Sequence, residues 1–158
     1  MEQKINYDIC VGTAADIEAI AQFQVDMAQE SEGTLLEIDR VLKGVTAAMN
    51  DEAKGTYIVA RADGKTIGSL MLTREWSDWT NRWYWWIQSV YVMPDYRGKG
   101  AYRAMYNKIK EMARERDIAQ VRLYVDKTNY PAQKVYQKLG MEECHYFMYE
   151  EVLKNLII

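Results

Sequence analysis

The chain has 158 residues, 49% of them hydrophobic, and a formal net charge of -3, which sets one globular domain spanning 1–158, with a sizeable core, as the expectation. Its longest uncharged apolar run, Trp83 to Pro94, falls short of the roughly 20 residues a spanning helix needs, and the acidic balance argues against a general nucleic-acid binder. Cys10 and Cys144 lie near opposite ends with no CxxC pair, so buried free thiols are expected rather than a disulfide framework or zinc site, in a soluble, cytoplasmic protein whose first residues, MEQKINYDIC, lack signal-peptide architecture.

Residues 3–11 read as a strand. Thr13 and Asp16 resemble an N-cap with an acidic first turn, opening a helix whose apolar face is Ile17, Ile20, Phe23 and Met27. A second helix follows, because Ile38, Val41, Leu42, Val45, Ala48 and Met49 keep the 3.6 period, with Asp39 near its start and NDEAKG closing it. TYIVARA (56–62) and TIGSLMLT (66–73) read as strands, and Asp63-Gly64 between them is a hairpin-turn pair. NRWYWWIQSVYV (81–92) reads as a long strand, residues 100–116 as a helix and QVRLYV (120–125) as a strand. Pro131 to Leu139 reads as a short helix stopped by Gly140, and EECHYFMYEEV (142–152) as a closing strand. This order, with no repeat or linker, indicates a mixed α/β sheet with helices packed on it.

The stretch VYVMPDYRGKGAYRAMY, Val90 to Tyr106, carries the chemistry. An apolar strand stops at Pro94, a basic glycine turn follows, and a helix begins. A helix start offers unpaired N–H groups and a positive dipole end, and glycines before it let an anion approach. Arg97, Gly98, Lys99 and Gly100 therefore form a candidate phosphate cradle. Arg103 stands where a GxGxxG fingerprint needs glycine, and no GxxxxGK[ST] occurs. The plain alternative is a polar turn between core elements.

The same stretch resembles the acetyl-CoA motif of the GNAT N-acetyltransferase superfamily, in which a strand ends in a Pro-acidic-aromatic turn before [RQ]xxGx[GA]. Arg97-Gly98-Lys99-Gly100-Ala101 fit, while Tyr102 replaces the last small residue. About 30 residues later, NYPAQKVYQKLGME resembles the second motif of the family. The resemblance is specific from 83 to 141 and weak before residue 55. It implies an α/β (α+β) fold: a mixed, mostly antiparallel central sheet with helices on both faces and a splayed central strand pair. It implies acetyl-CoA as cosubstrate, an amine acceptor, direct attack, and no metal, nucleic-acid or membrane partner. Cofactor contacts would come from Val90, Tyr91 and Val92 on the strand, from Arg97, Gly98, Lys99, Gly100, Ala101 and Tyr102 in the cradle, and from Asn129. Backbone N–H groups of Val90 and Val92 would meet the pantetheine arm and carbonyl, and the Tyr136 hydroxyl would serve the leaving sulfur.

Each assignment has a structural counterpart. Tyr136 borders the helical stripe Ala132, Val135 and Leu139, so it also reads as a packing tyrosine. Asn129 also reads as a helix cap before Pro131. An alkyl amine has a pKa near about 10.4, so something must take its proton at neutral pH. The long strand carries no carboxylate; Glu75 and Asp78 are the nearest acids, with Glu75 ranked first, and both also read as solvated loop acids. Glu30 and Glu32, or a water relay through Gln88, are further candidates. Trp76, Trp79, Trp83, Trp85 and Trp86 offer core packing, a homodimer face or a cation-π contact to an amine. His145 and Cys144, as strand neighbours, would face opposite ways. Two other readings stand beside the enzyme: a CoA-binding sensor that has lost catalysis, and a single-strand nucleic-acid binder using the tryptophans and basic turn.

Overall fold

The computed structural model describes residues 4–154. In chain order the elements are β1 (Asp8–Val11), α1 (Ile17–Glu32), α2 (Ile38–Met49), β2 (Thr56–Ala62), β3 (Lys65–Ser77), β4 (Arg82–Val92), α3 (Ala101–Glu115), β5 (Gln120–Leu123) and α4 (Tyr130–Lys138). Short 3-10 turns cover Ala14–Asp16 and Pro94–Tyr96. One open sheet runs β1-β2-β3-β4-β5, antiparallel except for the parallel β4–β5 pair. This is the expected mixed α/β fold with a mostly antiparallel sheet.

Local chemistry explains the elements. Asp63 and Gly64 take φ of 52° and 76°, the left-handed pair of a tight hairpin turn whose twist matches its strands. Every residue from Tyr57 to Ala60 in β2 is buried, so both faces of this strand need cover. Tyr57 and Val59 pack with Ile20, Ala21, Val45 and Ala48 from α1 and α2. Ile58 and Ala60 point the opposite way by strand alternation, and α3 packs on β1 and β2 with Met105 and Ile109 fully buried.

Asp16 holds the start of α1 to the β2–β3 hairpin. It is 3% exposed and accepts from Thr13 N–H at 2.8 Å, Arg61 Nη2 at 2.8 Å and the Thr66 hydroxyl at 2.7 Å. Burial opposes its charge most strongly, yet the hydrogen bonds from Thr13, Thr66 and Arg61 hold its pKa below the ordinary carboxylate value.

The residues through Leu123 form one compact unit and those from Tyr124 onward a second. In the second, Asn129 Oδ1 accepts from Ala132 N–H at 3.3 Å, so the expected cap of α4 is present. Gly140, at φ 98°, ends the helix with a Schellman pair: Met141 N–H to the Tyr136 carbonyl at 3.0 Å and Gly140 N–H to that of Gln137 at 3.1 Å.

Three expectations are corrected. Residues 142–152 form no strand; β-prone side chains do not make one without a ladder partner. The strand expected over 120–125 stops at Leu123, where the parallel pairing with β4 ends. Cys144 is exposed, and only Cys10 is partly buried. The first strand begins at Asp8, and residue 3 of its expected span lies outside the described residues. Trp85 is buried, whereas Trp76, Trp79 and Trp83 are exposed around the β3–β4 turn. No described helix is long and apolar enough to cross a membrane.

Candidate active site

β4 pairs with β3 along nearly its whole length, but with β5 only over Tyr84–Ile87 against Gln120–Leu123. From Gln88 to Val92 its other edge faces no described strand, which is the expected splay. The departure coincides with a bulge. Ser69 lies opposite Tyr91 and Met71 opposite Gln88, so Ser89 and Val90 together face Leu70, and Ser89 takes φ 55°. Such a bulge bends the strand and re-aims its backbone.

Main-chain direction beyond the bulge follows from two contacts. Met93 N–H donates to the Ile67 carbonyl at 2.8 Å, so Met93 and, by alternation, Tyr91 turn their backbone groups toward β3. Val92 and Val90 then turn theirs to the open edge, where Arg97 Nε already donates to the Val92 carbonyl at 2.8 Å. Tyr91 contributes differently from its neighbours. Its ring is buried and stacked on Phe23 at 5.1 Å, and its hydroxyl donates to Glu30 at 3.2 Å. Burial first, then the Glu30 charge, raises its pKa.

The glycine turn leads from this edge into α3. Gly98 and Gly100 take φ of 71° and 85°, and a Cβ at either would meet open space. Gly100 is the N-cap of α3, no side chain caps it, and the first turn holds no acid. Among the described residues no acid in the first turn and no capping side chain offsets the positive end of the helix, which fits an anionic group such as a pyrophosphate. Lys99 Nζ is held on the Asp95 carbonyl at 2.8 Å, and Tyr7 donates to the Lys99 carbonyl at 3.0 Å. Ala101 is buried, and the Tyr102 ring stacks on Tyr106 with centroids 6.1 Å apart. That stacking directs the bulky substitute along α3.

Arg97 joins the turn to α1. Its Nη2 pairs with Glu30 Oε2 at 2.8 Å and its guanidinium lies 5.2 Å from the centre of the Tyr91 ring. Glu30, Tyr91, Phe23, Asp26, Met93 and Pro94 line a cleft of about 440 Å³. Nothing in the sequence pattern pairs Glu30 with Arg97, since they lie 67 positions apart; their proximity comes from the packing of α1 on β4.

Glu75 and Asp78 stand elsewhere. Glu75 pairs in register with Tyr84, and its carboxylate accepts from Trp86 Nε1 at 3.0 Å and Arg122 Nη1 at 3.2 Å. It is four β3 residues from Met71, the partner of Gln88, which is roughly 13 Å of strand. Asp78 is exposed in the β3–β4 turn, farther still. Gln88 donates to Thr73 Oγ1 at 3.1 Å. On α4, Tyr136 is half-buried, and burial raises the pKa of its hydroxyl above the usual 10.0; it therefore keeps its proton at neutral pH.

The chain is similar to known proteins of one family. The acetyltransferase (GNAT) family model matches residues 17–141. The chain is 31% identical to the streptothricin acetyltransferase of Streptomyces lavendulae over 60% of its own length and 48% of that protein. It is 33% identical to the mouse thialysine N-epsilon-acetyltransferase over 52% of its length and 51% of that protein. It thus spans about half the length of these curated relatives. The crystal structure of a possible acetyltransferase from Clostridium difficile 630 superposes with a TM-score of 0.87 at 41% identity, covering 94% of this chain and 98% of that one.

Proposed function

The chain belongs to the acetyltransferase (GNAT) family, and from that membership we propose that it moves an acetyl group from acetyl-CoA to a primary amine by direct attack. The observation that carries the reading is continuity: the open edge of β4, beginning at the Ser89 bulge, runs through the glycine turn into an uncompensated helix start. A thioester arm and a pyrophosphate need donors in that order. The family match crosses the division between the two compact units, which supports one acetyltransferase domain.

In this reading the N–H groups of Gly98, Lys99, Gly100 and the first turn of α3, from Ala101 and Tyr102, bind the pyrophosphate, with Arg97 adding charge. Val92 N–H binds the pantetheine amide, Asn129 is assigned to the same arm by its motif position alone, and Val90 N–H meets the carbonyl oxygen as it gains charge. Tyr91 supports this strand from its buried side. The amine nitrogen bonds to the carbonyl carbon, the C–S bond breaks, and the thiolate takes a proton from Tyr136. The amine's proton passes through water to a carboxylate. Glu30, though it accepts from Tyr91 and Arg97, suits this better than Glu75 or Asp78, because it lines the cleft while Glu75 is roughly 13 Å of strand away. The two relatives are named for acetyl transfer to streptothricin and to the ε-nitrogen of thialysine, which supports an amine as acceptor.

The test is thiol release from acetyl-CoA across a panel of primary amines, with calorimetric CoA binding alongside. Amine-dependent thiol release is expected. CoA binding without release for any amine would leave a binding domain, and absence of both would overturn the reading of the cradle.

A further inference from the structure

We propose that Tyr7 is a positioning residue for the pyrophosphate: its hydroxyl locks the peptide between Lys99 and Gly100 so that the Gly100 N–H is held out for the anion. The inference rests on the pyrophosphate reading of the cradle and adds to it a residue 92 positions from Lys99.

A trans peptide is planar, so its C=O and N–H point in opposite directions, and no described peptide bond is cis. Tyr7 O–H donates to the Lys99 carbonyl at 3.0 Å. The Gly100 N–H belongs to the same peptide. It therefore turns away from Tyr7, and no described group accepts from it. Nothing within the turn fixes this orientation. The α3 ladder begins with Ala104 N–H on the Gly100 carbonyl at 3.0 Å, which leaves the Lys99 carbonyl one residue outside it. Gly100 has φ 85°, and glycine takes the opposite sign about as readily, so it sets no steric barrier to this peptide turning over. A turned peptide would present the Lys99 carbonyl oxygen where the N–H had been, and its lone pairs would repel a phosphate.

Tyr7 is placed to prevent this. It immediately precedes β1, which pairs with β2 along its length and against which α3 packs, so its backbone is fixed at the end of a strand while its hydroxyl reaches the turn. Burial raises the pKa of that hydroxyl above the usual 10.0, so at neutral pH it remains a donor. A donor on the carbonyl also polarises the peptide, which strengthens the N–H on the far side as a donor in turn. The other anchors of this turn act elsewhere. Tyr96 O–H donates to the Asp63 carboxylate at 3.0 Å, and Lys99 Nζ to the Asp95 carbonyl at 2.8 Å; neither engages the peptide that carries the Gly100 N–H.

Calorimetry of CoA binding to the full chain and to its Tyr7→Phe variant, with Tyr96→Phe as the comparison, tests the lock. Tyr7→Phe keeps the ring and should weaken CoA binding about 3- to 10-fold, the range set by one hydrogen bond. Adenosine 3′-phosphate 5′-diphosphate, which keeps the pyrophosphate and lacks the pantetheine arm, should lose the same factor. Tyr96→Phe removes a hydrogen bond of equal length from the same turn and should leave both affinities near the parent values. The nuclear Overhauser effect between the Lys99 Hα and the Gly100 N–H reads the orientation of this peptide. It should change in free Tyr7→Phe and return to the parent's value on saturation with CoA, a response that a role in stability alone would not produce. Parent affinity in Tyr7→Phe, an equal loss in Tyr96→Phe, or an unchanged Overhauser effect in free Tyr7→Phe would overturn the inference. A parent chain that binds no CoA would instead overturn the cradle reading, and this inference with it.

Discussion

Gly68→Ala tests whether the position of β4 matters to ligand binding. Gly68 lies on β3 opposite Val92, and a Cβ there would come within 2.9 Å of the Tyr91 carbonyl oxygen and 3.3 Å of Val92 Cγ2. Ordinary contact begins near 3.4 Å, so β4 must retreat by about half an ångström, and the obstacle is main chain that no side-chain rotation relieves. Overpacking of this type costs about 1–3 kcal/mol, offset by about 0.5–1 kcal/mol because alanine restricts the unfolded chain more than glycine does. A net loss of about 1–2 kcal/mol should lower Tm by roughly 3–6 °C for a chain of this size. The same displacement moves the N–H groups of Val90 and Val92, so CoA affinity should fall about tenfold, the equivalent of about 1.4 kcal/mol. Gly44→Ala is the control. It lies in α2 with nothing within 4 Å of an added Cβ and should stabilise by up to about 1 kcal/mol with CoA affinity unchanged. Urea unfolding and calorimetry read both quantities. A Gly68→Ala variant with the parent's midpoint and affinity would refute the idea that this close approach sets the site.

Gly100→Val places a β-branched residue at φ 85° and should weaken CoA binding measured by calorimetry, while Tyr102→Gly should leave it near the parent value. Tyr136→Phe keeps the ring, and turnover should fall about 10²- to 10⁴-fold with stability little changed; full activity would make it a packing residue. Glu30→Gln should lower turnover at neutral pH and recover in part at high pH, where more acceptor amine is already unprotonated, whereas Glu75→Gln and Asp78→Asn should keep the parent's pH–rate profile. The reverse pattern would return the proton to Glu75. Asp16→Asn should cost about 3 kcal/mol at pH 7 by weakening hydrogen bonds to a buried charge. Because the folded-state pKa of Asp16 is lowered, its contribution is present above the unfolded value of about 3.9 and is lost as pH falls through the folded value. The variant's acid limb in urea unfolding should accordingly be flatter than the parent's.

Local signals in the sequence mark elements whose causes are local. The turn at Asp63-Gly64, the 3.6-period stripe of α2 and the Asn129 cap each depend on a few adjacent residues, and all are present in the fold. The glycine turn into α3 is legible for the same reason, since its glycines and the helix start are consecutive. What the sequence hides is set by distant partners. Glu75 ranks as a proton acceptor for its place near a strand end, and only register reveals that Trp86 and Arg122 engage it. Glu30 is ordinary on its own helix and acquires meaning from Arg97 and Tyr91. The aromatic run at 146–149 has strand composition, yet composition names no ladder partner, and none of the described strands pairs with it. Ser89 carries no bulge signal at all, because serine is not a residue that favours φ 55°.

That serine makes the length of β4 matter as much as its composition. An extra residue between Gln88 and Val90 shifts the alternation of everything after it by one step. Deleting Ser89 would leave Val90 alone opposite Leu70, with Tyr91 still opposite Ser69 and Val92 opposite Gly68, so the amides of Val90 and Val92 would keep facing the open edge while the bend was lost. In evolutionary terms the strand carries a bend set by residue count. Substitutions along it are graded in effect, whereas loss of the one extra residue straightens the strand at a stroke, and the turn at 78–81 can change length without altering it.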